Sequence, residues 1–166
     1  MPDARLLLLV PAFWLGACAL EPVYSAGQSG PAATMLGGIA VDPIPDRNGF
    51  LVRDRLLARL NSGATTDGPQ YRLRVRLDDR IDGFGVRGDN SIIRERRTLR
   101  ARWQLFEDGS ETPILDATAG ADAGIDVVGS EFAVVAAETS AAERLADEVA
   151  AQIIARIALH ARQAGR

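Results

Sequence analysis

The chain has 166 residues, with 19 basic against 22 acidic side chains and a formal charge of −3. That is the length of one domain, and the balance is not the basic excess that a nucleic-acid partner draws on. Every one of the basic residues is arginine; the absence of lysine removes Ser-Lys chemistry and is also what a GC-rich genome produces, and one cysteine cannot form an internal disulfide.

The first signal lies in Leu6 to Cys18, LLLLVPAFWLGAC, an apolar run closing on small residues and the sole cysteine. It is shorter than the roughly 20 apolar residues of a membrane-spanning helix and fits the core of a secretory signal peptide, so residues 1–17 are expected to be removed. Leu15-Gly16-Ala17-Cys18 resembles the lipobox of bacterial lipoproteins. That resemblance implies an S-diacylglycerol on Cys18 and an N-acyl chain, such as palmitate, on its new amino group. At about 0.8 kcal/mol per buried methylene, three chains make a permanent anchor. The plain alternative, a buried free cysteine, would leave the apolar run exposed at the N-terminus. Ala19, where an aspartate would retain the protein at the inner membrane under the enterobacterial sorting rule, implies delivery to the outer membrane.

Residues 18–37 form the lipid anchor and a Gly-, Pro-, Ser- and Ala-rich stretch that reads as a tether, and 38–164 as the folded domain. Ile39 to Ile44, bounded by prolines, suits a short edge strand. Asp46-Arg47-Asn48-Gly49 makes a turn in which Asp46 or Asn48 can cap a helix. Phe50, Leu51, Leu56, Leu57 and Leu60 then recur at helical spacing until Asn61-Ser62-Gly63.

The clearest pattern follows. Tyr71, Leu73, Val75 and Leu77 alternate with Arg72, Arg74, Arg76 and Asp78, which is a strand with one face buried. A second strand alternates Leu99, Ala101, Trp103 and Leu105 with Thr98, Arg100, Arg102 and Gln104. The polar, glycine-rich stretch from Asp79 to Arg97 reads as the end of a long hairpin. After a turn at Glu107 to Ser110, Ile114 to Ala121 gives a weaker strand. From about Phe132 to Gln163 an alanine-rich helix carries a seam of Leu145, Val149, Ile153 and Ile157. The order β-α-β-β-β-α predicts an α+β fold: a four-stranded, mainly antiparallel sheet with two helices packed on one face.

The lipobox with Cys18-Ala19-Leu20-Glu21-Pro22-Val23-Tyr24, the run from Ile39 through Asp46-Arg47 to Leu60, the strand Tyr71 to Leu77 and the final helix together resemble the LptE family of lipopolysaccharide-assembly lipoproteins, its alphaproteobacterial branch in particular. The resemblance spans nearly all of the chain after Cys18. It implies a non-enzymatic, outer-membrane lipoprotein facing the periplasm, which plugs the LptD β-barrel one to one and helps lipopolysaccharide reach the surface. An auxiliary subunit of an ABC-type lipid transporter is the alternative, since small lipid-anchored α+β domains occur there too. A membrane-tethered hydrolase is a third class.

If the two alternating strands pair, Arg72, Arg74, Arg76 and Arg80 share a face with Arg94, Arg96, Arg100 and Arg102, and Arg87 joins them at the hairpin tip. Like charges opposite one another cost a few tenths to about 1 kcal/mol each, so an anion is expected against them. Lipid A phosphates and acidic groups of a barrel wall both qualify. The plainer reading is a solvated face partly neutralised by Asp78, Asp116 and Asp122.

Other chemistry finds little support. Gly83 to Gly88 fits G-x-G-x-x-G but lacks the strand-to-helix context of a nucleotide loop. His160 is the lone histidine and, with no second one and no free thiol, supports neither a zinc site nor a Cys-His nucleophile. The pair Asp78-Asp79 reads as solvated rather than catalytic. No metal, no cofactor and no catalytic residue are expected.

Overall fold

The computed structural model describes residues 31–60, 68–86, 92–127 and 130–164. Its elements are α1 (Pro31–Gly37), β1 (Ile39–Val41), α2 (Asp46–Leu60), β2 (Tyr71–Val86), β3 (Ile92–Glu107), β4 (Pro113–Asp126) and α3 (Glu131–Ala164). The four strands form one sheet in the order β1-β2-β3-β4. Both β2–β3 and β3–β4 are antiparallel, and β1–β2 is parallel. The parallel pair follows from connectivity. α2 carries the chain back to the starting end of the sheet, and a strand, a crossover helix and a strand in one sheet must then run the same way.

The fold is the α+β arrangement that the alternation predicts, with three differences. The seven residues of α1 lie in the stretch read as tether, and Ala32 and Leu36 enter the core. β2 and β3 continue well past Leu77 and before Thr98, to Val86 and from Ile92, because cross-strand pairing sustains a polar, glycine-containing sequence as strand once its neighbours are aligned. In α2 the buried stripe is Gly49, Val52, Leu56 and Leu60, while Phe50, expected in the core, is 67% exposed. The rotation is set at Gly49, which packs against the Ile44 backbone so closely that a Cβ there would lie 2.7 Å from the Ile44 carbonyl oxygen.

Between the helices and the sheet lies one core, built on Leu73, Val75, Leu99, Ala101, Trp103 and Leu105 from the strands and on Leu56, Leu60, Val149, Ile153 and Ile157 from the helices. Each large aliphatic side chain fully removed from water contributes about 1.5–3 kcal/mol. Ala146, Ala150 and Ala158 of α3 are also buried, and β4 faces them with the small residues Ala117, Ala119 and Ala121, so helix and strand approach closely. Arg59 and Arg55 of α2 meet Asp147 of α3 at 3.0 and 3.6 Å, tying the two helices along their outer edge. Among the described residues no helix is long and apolar enough to cross a membrane.

Candidate functional site

The face of the sheet away from the helices carries the arginines. Side chains alternate along a strand, so the even-numbered residues of β2, β3 and β4 all project to this side. The register places Arg76 opposite Arg102, Asp78 opposite Arg100 and Asp82 opposite Arg96. On the far side of β3, Gln104 faces Asp116, Thr98 faces Asp122 and Arg94 faces Asp126. Arg72, Arg74, Arg76, Arg80, Arg94, Arg96, Arg100 and Arg102 are thus brought onto one surface. Arg87 and Cys18 lie outside the described residues.

This surface is a mosaic of opposite charges. Six of its eight described arginines take a carboxylate: Arg72 with Glu111, Arg74 with Asp42, Arg80 with Asp78, Arg94 with Asp126, Arg100 with Asp122 and Arg102 with Asp116, at 2.9–3.6 Å. Asp116 accepts from Arg102 at 3.0 Å and from Gln104 Nε2 at 2.9 Å. The bond from Arg102, followed by that from Gln104, holds its carboxyl below the usual range. Asp122 is lowered likewise, first by the Thr98 hydroxyl at 2.6 Å and then by Arg100. Gly120 leaves the room that Arg100 needs to lie across β4: a Cβ at that position would be 2.6 Å from Arg100 Cδ. Aromatic rings take part as well. Phe106, buried on this face, has the Arg72 and Arg74 guanidiniums at 5.1 and 5.0 Å from its centroid, and Arg96 sits 5.4 Å from that of Phe84.

Arg76 differs. Among the described residues it has neither a carboxylate nor a ring partner, and with Arg74, Arg102 and Gln104 it lines a hollow of about 180 Å³.

A second polar constellation lies on the opposite, helix-covered face. Arg97 and Asp79 occupy odd positions, in phase with Leu99 and Leu77, and their alternation carries them inward. Arg97 donates to both Asp79 oxygens, at 3.0 and 2.7 Å, and to the Glu138 carbonyl of α3 at 3.1 Å. Asn48 of α2 donates to the same carboxylate. Asp79 is therefore a partly buried ion-pair partner, not the solvated half of an Asp78-Asp79 pair. Its bond to Arg97 raises the arginine further above its usual range against the opposing effect of burial. Asp79 and Asn48 are named singly by sequence and are not joined there with Arg97, although two opposite charges falling on the apolar phase of neighbouring strands are a readable signal. Asn48, a potential helix cap by sequence, is turned to this carboxylate instead.

The description LptE, lipopolysaccharide-assembly, belongs to a family model that matches residues 36–157. No curated protein matches the chain by sequence. Solved structures share the fold. A lipoprotein from Caulobacter crescentus CB15 is 22% identical with a TM-score of 0.62, covering 77% of this chain and 93% of its own. Rare lipoprotein B from Shewanella oneidensis is 12% identical with a TM-score of 0.60, over 78% and 98%. The minor lipoprotein from Acinetobacter baumannii is 18% identical with a TM-score of 0.61, over 75% and 92%.

Proposed function

The chain belongs to the LptE, lipopolysaccharide-assembly, family, and from that premise we propose that it is an outer-membrane lipoprotein that plugs and supports an LptD-type β-barrel and contacts lipopolysaccharide during its passage to the surface. The observation that carries this reading is the family match itself, which runs from the end of α1 through most of α3 and so covers the whole sheet, all of α2 and most of α3.

The arginine face supports it on physical grounds. The interior of a membrane barrel is polar, and a wall of guanidiniums alternating with carboxylates can exchange ion pairs and hydrogen bonds with such a lining without burying an unpaired charge. The same forks grip phosphate as readily as carboxylate, so lipopolysaccharide contact falls to the arginines of this face. Residues 1–17 act as the signal peptide, and Cys18 bears the lipid that holds the chain at the periplasmic side of the outer membrane. The role is one of assembly and handling, with no enzymatic step and no cofactor beyond the covalent lipid.

The test is a pull-down of the affinity-tagged full-length chain from outer membranes in mild detergent, with intact-mass measurement of its N-terminus. A large β-barrel protein at equal stoichiometry and a triacylated Cys18 are the expected results. Recovery of an inner-membrane transporter, or of no barrel, would overturn the reading and favour the auxiliary subunit of a lipid transporter.

A further inference from the structure

Arg76 is set apart from every other described arginine of its face. Strand pairing puts it directly opposite Arg102, and like charges in that position destabilise a sheet unless something offsets them. Arg102 is offset by Asp116 from β4, at 3.0 Å, and Arg74 by Asp42 from the end of β1, at 3.6 Å. Arg76 has no such offset among the described residues, so one positive charge remains at the centre of the group. Around it is a hollow of about 180 Å³ whose lining is Arg74, Arg76, Arg102 and Gln104: three guanidinium forks, one amide and no acid.

We propose that Arg74, Arg76 and Arg102 form a seat for a single phosphate group, with Arg76 as its principal ligand. A carboxylate presents two oxygens and is satisfied by one fork, which is the role Asp116 already fills for Arg102. A phosphate monoester presents three oxygens and more than one negative charge, and it suits several planar donors arranged around a polar hollow. The seat stands on this geometry alone; it rests on the functional reading above only for the expectation that the phosphate belongs to a glycolipid.

The test uses the full-length chain in a nonionic detergent and follows the arginine Nε–H resonances by NMR, with inorganic phosphate as the first probe. The Arg76 and Arg102 resonances are expected to move together and to saturate, while that of Arg94, held by Asp126 at the hairpin end, stays in place. Arg76→Gln is expected to weaken phosphate binding by about tenfold or more, Arg76→Lys to fall between, and Arg72→Gln to leave it unchanged. Among the described residues Arg76 has no ion-pair or hydrogen-bond partner to lose, so an unchanged thermal melt accompanies these results. A uniform, non-saturating drift of all arginines, or equal binding by Arg76→Gln, would overturn the proposal.

Micelles carrying bisphosphorylated lipid A and micelles of phosphatidylglycerol then separate the sources. Saturation by lipid A supports the seat and the glycolipid reading together. Saturation by inorganic phosphate with neither lipid supports the seat and counts against glycolipid contact here, whereas saturation by phosphatidylglycerol and not by lipid A would overturn the proposal, because that lipid's diester has a single charge and only two free oxygens. Binding of lipid A with Arg76 unmoved would overturn the seat and leave the functional reading standing.

Discussion

Arg97 holds Asp79 through a two-pronged bond, Nε to Oδ1 at 3.0 Å and Nη2 to Oδ2 at 2.7 Å, at the level of the sheet where α2 begins. The arginine's third arm reaches the Glu138 carbonyl, and Asn48 completes the carboxylate from α2. One pair of side chains thereby fastens both strands of the hairpin to both long helices. Its two side chains are 11% and 21% exposed, so water screens the pair far less than the ion pairs on the outer face.

Removing one partner of such a pair leaves a charge largely cut off from water. Asp79→Asn is therefore expected to destabilise the fold by about 2–3 kcal/mol. Replacing both residues by leucine removes the pair and its desolvation cost together, and is expected to cost much less than the single change. Urea unfolding of the two variants checks this. Equal losses would mean that the cost lies in losing the pair itself and not in stranding a buried charge.

The carboxylates of the outer face give stability a direction in pH. Asp116 and Asp122 titrate below their ordinary value of 3.8 in the folded chain because Arg102, Gln104, Thr98 and Arg100 bind their ionised forms. A group depressed in this way contributes stability above its unfolded value and loses it as pH falls through the lower folded one. Asp116→Asn is thus expected to be less stable than the native chain at neutral pH, with a difference that shrinks once the pH drops below 3.8 and Asp116 itself becomes protonated. Urea midpoints measured across that range, for variant and native chain side by side, read the effect directly. A difference constant in pH would rule out the ionised carboxylate as its source.

Much of this architecture is legible in the chain because it rests on period. Leu73, Val75 and Leu77 against Arg72, Arg74 and Arg76 state which side of β2 is buried, and Leu145, Val149, Ile153 and Ile157 state the same for α3. The sharing of one face by the arginines of β2 and β3 follows from that alternation once the strands pair. Partners across the sheet are less readable, since they depend on register. That Asp116 meets Arg102, or Asp126 meets Arg94, is fixed only when β4 is aligned, with its irregularity at Leu105 and Phe106 included. Phe50 misled because its hydrophobicity is right for a core while its angle around α2 is not; the close contact of Gly49 with Ile44 sets that angle, and it is a tertiary fact. α1 escaped for a related reason. Its seven residues are too few to show a helical period, and packing on α3 is what makes them helical.

Gln152 of α3 treats β4 as a neighbouring strand would. Its amide oxygen accepts from the Gly120 N–H at 3.0 Å and its amide nitrogen donates to the Gly120 carbonyl, also at 3.0 Å. Both bonds fall on the outer edge of the sheet, where unpaired backbone groups invite pairing with another chain. Gln152→Leu is expected to cost about 1 kcal/mol, to speed hydrogen exchange at the Gly120 amide and to promote association at high concentration. Hydrogen-exchange mass spectrometry with sedimentation measures both. Unchanged exchange at Gly120 would show that the amide is protected by other means.

Two glycines offer the same substitution with opposite outcomes. At Gly49 an added methyl would lie 2.7 Å from the Ile44 carbonyl oxygen and 2.8 Å from its carbonyl carbon, both backbone atoms that cannot swing aside. Relief requires the entry to α2 to move, which would shift Val52 and Leu56 within the core, and overpacking of this kind costs about 1–3 kcal/mol. At Gly124, near the end of β4, nothing lies within 4 Å of the added carbon, so no contact opposes it. Alanine there restricts the unfolded chain and is accommodated by strand geometry, with an expected gain of about 0.4–1 kcal/mol. Thermal and urea unfolding of Gly49→Ala and Gly124→Ala therefore place the two variants on either side of the native chain. Equal stability at Gly49→Ala would mean that α2 can enter the fold at another angle, and the burial of Val52 and Leu56 would then have to survive that rotation.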